Sequence, residues 1–128
     1  MQRDEIAVAY RDYIACLNAQ DWGSLRRHVA ETVAYNGKGI GFDGYRDMLI
    51  ADFQAIPDLS FNVAFLVCDP PRIASRLAFD CTPIGRLFGV PVNGKRVSFH
   101  ENVCYEYQDG KIRTVWSVID RASVAAQV

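Results

Sequence analysis

The stretch RVSFHENVCYEYQDGKIRTVWSVID, residues 96–120, decides the fold. Asp109-Gly110 is a strong hairpin signal, because a tight two-residue turn needs positive φ and glycine supplies it without steric cost. On either side β-branched and aromatic residues alternate with polar ones. Arg96 to Tyr107 and Lys111 to Asp120 therefore read as two long antiparallel strands. Upstream, Pro83, Gly85, Gly89, Pro91 and Asn93-Gly94 mark a long loop or broken hairpin. Arg72 to Thr82 and Phe61 to Val67 are two further strands, joined through Asp69-Pro70-Pro71. Before Pro57 the period changes to helical. Tyr45, Met48, Leu49, Phe53 and Ile56 share one face of a helix that starts near Asp43 or Gly44 and stops at Pro57. Ile6, Tyr10, Tyr13, Ile14 and Leu17 do the same for a first helix, Asp4 to Gln20, which Asp21-Trp22-Gly23 breaks. Ser24 can cap a short second helix through Val29, and Thr32 to Tyr35 is a short strand ending at Asn36-Gly37. Helices first and an antiparallel meander afterwards define an α+β pattern, and 128 residues suit one domain.

Half the residues are hydrophobic and 23% are charged, with a formal net charge of −1. Phosphate binding relies on clustered Lys and Arg, so nucleic acid is not an expected partner. The densest basic spot, Arg26-Arg27-His28, reads as a solvated helix face. No apolar run is long enough to span a bilayer, and the N-terminus lacks an apolar signal core, so a cytoplasmic location away from membranes is expected. Cys16, Cys68, Cys81 and Cys104 show no C-x-x-C spacing and are expected to be free, mostly buried thiols, with no metal bound.

Several phrases then stand in a telling order: Tyr35-Asn36-Gly37 leading to Gly44-Tyr45-Arg46; Ile56-Pro57-Asp58-Leu59-Ser60-Phe61; Gly94-Lys95-Arg96-Val97; and Asp109-Gly110-Lys111-Ile112 followed by Trp116 and Asp120. In these the chain resembles the SnoaL-like polyketide (ester) cyclases of the NTF2-like superfamily. The resemblance implies a cone-shaped α+β barrel, with N-terminal helices packed in a strongly curved, mostly antiparallel sheet around an apolar pocket open at one end. It also implies a cofactor-independent enzyme that closes a ring by intramolecular aldol chemistry on a small hydrophobic, carbonyl-containing ligand. The acid/base Asp at the end of the family's last strand falls here on Asp120. Where the family often has Gly-Thr-His after the third strand, this chain has Cys81-Thr82-Pro83, which leaves the contacts from that loop open.

Strand alternation places Trp116, Val118 and Asp120 on one face, with Trp116 and Val118 expected in the core and Trp116 against the ligand. A carboxyl desolvated there would suit proton transfer, whereas a strand-end Asp can equally pair with Arg121 or cap the next turn. His100 and Asn102 lie on the more polar stripe Ser98-His100-Asn102-Cys104. That stripe either lines the pocket, with His100 as a second acid/base group, or faces water. The opposite stripe is apolar apart from Glu101. Asn36 is first a turn residue, or else a carboxamide at the pocket mouth. Tyr13 is a core residue whose hydroxyl could reach a ligand. A homodimer through the outer sheet face is expected, with Val115 and Ile119 among the outward positions. The leading reading is a cyclase or isomerase that abstracts a proton next to a carbonyl. A ketosteroid-isomerase-like activity and a non-catalytic pocketed or dimeric module are its rivals.

Overall fold

A computed structural model describes residues 1–128. Helix α1 (Arg3–Asn18) buries Ile6, Tyr10, Tyr13, Ile14 and Leu17, the stripe that helical spacing marks. Its last residue clamps the next layer: Asn18 Oδ1 accepts the Phe61 amide at 2.7 Å, while Asn18 Nδ2 donates to the Phe61 carbonyl at 3.0 Å. A 3₁₀ turn (Trp22–Arg27) follows, then β1 (Val29–Tyr35) and α2 (Gly41–Ala55). Next come β2 (Asn62–Asp69), β3 (Arg72–Cys81), the small hairpin β4 (Arg86–Leu87) and β5 (Val90–Pro91), and the long pair β6 (Val97–Gln108) and β7 (Lys111–Ile119). A final helix, α3 (Arg121–Gln127), is absent from the sequence reading. No helix is long and apolar enough to cross a membrane.

The five long strands form one sheet in the order β1-β7-β6-β3-β2, antiparallel except for β1, which runs parallel to β7. Its inner face packs on α1 and α2. Ile73, Leu77 and Phe79 of β3 meet Phe99, Val103 and Tyr105 of β6 there, all buried. Facing residues fill the space with rings, as with Phe79 stacked on Phe99 at 5.0 Å and Phe61 edge-on to Phe79 at 5.5 Å.

Two expectations about β7 are corrected. Val115 is 1% exposed and Ile119 half-buried, so both point inward, whereas Trp116 (43% exposed) and Val118 (70%) point out. A bulge is the cause. Glu106 pairs with Thr114 and Tyr107 with Ile112, so Arg113 is left without a partner and the alternation slips by one residue. Such a slip moves every later side chain to the other face. The thiols also differ from expectation: all four are free, but only Cys16 and Cys81 are buried, Cys68 is half-buried and Cys104 is exposed.

Candidate active site

A cavity of about 290 Å³ opens between α2, Tyr13 of α1, the inner sheet face and the β4–β5 hairpin. Of its 19 lining residues, 16 are apolar or aromatic, and the other three are Asp52, Glu101 and Arg121. Few polar groups in an apolar hollow is the usual composition of a small-molecule site.

Glu101 comes from the centre of β6, on the same face as Phe99 and Val103. Its Oε2 accepts a hydrogen bond from the Ser117 hydroxyl on the neighbouring strand β7. Burial raises its pKa above the ordinary glutamate value, and the Ser117 bond partly offsets this by favouring the charged form. Asp52 comes from α2, on the face that also carries Tyr45, Met48 and Leu49. It lines the cavity and is itself exposed to solvent. Desolvation first, and repulsion from Glu101 second, push it up to about 7. The charge on Glu101 thus helps to hold the proton on Asp52, which exchanges it near neutral pH.

The floor adds a donor. The Tyr13 and Tyr45 hydroxyls lie 2.7 Å apart, both rings are buried, and neither hydroxyl has a further protein partner. Burial holds both phenols well above their ordinary pKa, so each keeps its proton. Two O–H groups share one mutual bond, which leaves one hydrogen free for an acceptor entering the cavity.

Of the residues singled out from sequence, only Tyr13 lines this cavity. Asp120 is exposed at the end of β7, and its Oδ1 accepts the Ser123 amide at 3.1 Å as the N-cap of α3. This is the capping reading. His100 and Asn102 sit on the outer face of β6, where Asn102 Oδ1 accepts from Arg76 at 3.0 Å. Trp116 is likewise on the outer face. Asn36 spends its carboxamide on β7: Oδ1 accepts the Ser117 amide at 2.8 Å and Nδ2 donates to the Ser117 carbonyl at 3.3 Å. It extends the β1–β7 ladder by one link. Glu101 and Asp52 escaped selection, although each carried the same signal, a carboxyl interrupting an otherwise apolar face.

The chain matches the family described as SnoaL-like polyketide cyclase over residues 7–128. Among solved structures, a SnoaL-like polyketide cyclase from Agrobacterium tumefaciens is 45% identical, with 99% of this chain and 98% of that chain covered, at a TM-score of 0.95. TsrD from Streptomyces laurentii is 20% identical, with 99% and 96% covered, at a TM-score of 0.87. AclR from Streptomyces galilaeus is 22% identical, with 98% and 96% covered, at a TM-score of 0.81. These last two show the shared fold. No curated protein matches the chain. A curved sheet wrapped round N-terminal helices, the phrases that run from Tyr35 to Asp120, and a likeness that extends over nearly the whole chain agree: this protein is an NTF2-like α+β barrel and belongs to the SnoaL-like polyketide cyclase family.

Proposed function

We propose that the protein closes or rearranges a carbonyl-containing ring precursor by abstracting a proton α to a carbonyl, with Glu101 as the base. The observation that carries this reading is a carboxylate held by Ser117 in a largely apolar cavity. A desolvated carboxylate is a stronger base than one in water, and apolar walls keep the enolate from being quenched. The Cα–H bond breaks and its proton passes to Glu101. The electron pair moves onto the carbonyl oxygen, which the free hydrogen of the Tyr13–Tyr45 pair stabilises. The enolate carbon then attacks a second carbonyl of the same molecule, a C–C bond forms, and Asp52 gives its proton to the resulting alkoxide. Exchange with water through the mouth resets both carboxyls. Asp120, His100, Asn36 and Asn102 take no part in these steps, and the chemistry draws on no metal or organic cofactor.

The same groups favour one second reading. If the proton on Glu101 returns to a different carbon of a conjugated enone, the outcome is isomerisation, with the phenol pair and the protonated Asp52 on the dienolate oxygen. Turnover assays with ring-precursor methyl esters and with enone steroids separate the two. In whichever assay responds, Glu101→Gln should lose about 100-fold or more, the scale of a positioned base. Asp120→Asn should turn over near normally. Near-normal turnover in Glu101→Gln would remove Glu101 from the chemistry. A homodimer across the outer sheet face completes this reading of the molecule.

A further inference from the structure

Arg121 is the one cation lining the cavity, and its surroundings are unusual for a surface arginine. Its guanidinium carbon lies 5.2 Å from the centroid of the Phe88 ring. Phe88 is in turn edge-on to Phe99 of the cavity wall, at 5.6 Å and 89°. To present that ring, Phe88 adopts φ 53°, a left-handed conformation that a bulky residue rarely takes and that carries backbone strain. The Cα of Arg121 is fixed from both sides. Asp120 caps the helix that Arg121 begins, Val124 is fully buried beneath it, and Gln127 brackets the Ser98 backbone by accepting at 2.8 Å and donating at 2.6 Å. Yet the guanidinium makes no ion pair. Every salt bridge in the protein uses another arginine, and neither Asp120 beside it nor Glu101 or Asp52 in the cavity reaches it. None of its N–H donors meets a protein acceptor. A cation drawn to an aromatic face without hydrogen bonds keeps its N–H fork, which is matched to a carboxylate, open.

We propose that Arg121 selects the substrate by an anionic group, so that the ligand is an apolar ring or chain carrying a carboxylate, its body inside the cavity and its anionic end at the rim. The assignment rests on the cavity being the binding site. A neutral ester alone would leave a held, unpaired guanidinium without a role. Arg121 is a specificity residue, and it does not touch the reacting atoms.

A matched probe pair tests this: 2-naphthoate, ionised at pH 6, and methyl 2-naphthoate, with the same ring and no charge. Titration calorimetry at pH 6 on the wild type should find naphthoate bound about tenfold more tightly, the scale of a charge-assisted hydrogen bond. Arg121→Gln should erase that preference and leave ester affinity unchanged, and Arg121→Lys should keep part of it. Equal affinity for both probes in the wild type would overturn the assignment and leave the cavity standing as a site. So would a preference that survives Arg121→Gln, or an equal loss of both probes in that variant. Failure of both probes to bind the wild type would overturn the cavity as a binding site, and the role of Arg121 with it.

Discussion

Both carboxyls titrate above their ordinary range, Glu101 through burial and Asp52 through desolvation together with repulsion from Glu101. The rate should therefore follow a bell-shaped pH profile. Its acid limb, set by ionisation of the base, should lie above the ordinary glutamate value, and its alkaline limb, set by loss of the Asp52 proton, near 7. Glu101→Gln should abolish turnover across the range, and Asp52→Asn should remove the alkaline limb. An alkaline limb that persists in Asp52→Asn would assign the acid to another group. Stability carries a second signature of the same residue. A carboxyl whose folded pKa exceeds its unfolded value binds its proton more tightly in the native state. Its stabilising effect is complete below about pH 4 and is lost as pH rises through about 7. Asp52→Asn should accordingly flatten the fall in urea midpoint across that window and raise the midpoint at pH 8. A variant less stable than wild type at pH 8 would contradict this. Both carboxyls were legible in the sequence as interruptions of apolar faces. Only knowing which face of each element turns inward makes such an interruption a site rather than a surface charge.

At the scale of elements, periodicity carried most of the fold. The helical stripes of α1 and α2 and the turn at Asp109-Gly110 bury and bend the chain as their spacing requires. What spacing could not convey is the bulge at Arg113, since one unpaired residue is invisible in an alternating pattern and reverses the facing of Val115 to Ile119. The apolar surround expected for Asp120 depended on that facing, whereas its acid/base role came from the family resemblance. Nor could it convey α3, a seven-residue segment too short to show a helical period, whose place is set by tertiary contacts of Val124 and Gln127. The parallel pairing of β1 with β7 is non-local and left no mark in either strand's own pattern. Asp120 is thus an element-scale residue. Asp120→Ala removes an N-cap, which typically costs about 1 kcal/mol, and should lower Tm by about 4 °C. Its effect on turnover should be small. Through α3 it should loosen Arg121, so that the preference for naphthoate over its ester falls while ester affinity holds. A 100-fold loss of turnover at unchanged Tm would return Asp120 to the chemistry.

At the scale of the whole molecule, the helices cover only one side of the sheet. The strand register lines up Trp116, Cys104, Ala74 and Val67 in one row across the outer face, and Val118, Asn102, Arg76 and Phe65 in the next. Trp116, Val118, Phe65 and Val67 are all substantially exposed, and together they make an apolar patch that a lone chain would leave in water. The only charge within those rows is Arg76, which donates a hydrogen bond to Asn102. A second copy placed by a two-fold axis sets the same patch against itself, and self-complementarity of this kind is the commonest route to a closed assembly. The expected state is a homodimer, of twice the 14.4 kDa chain mass, joined through these residues and not through Val115 and Ile119. Light scattering at high micromolar concentration should give that mass for the wild type. Val118→Lys would place a charge at the centre of the patch in each copy, twice per interface, and should shift the mass to that of one chain with the far-ultraviolet circular dichroism unchanged. Because the cavity opens on the opposite side of the sheet, the separated chains should still bind methyl 2-naphthoate as the dimer does. A wild type that runs as a single chain at high micromolar concentration would sink the dimer, and a Val118→Lys variant that stays dimeric would move the interface elsewhere.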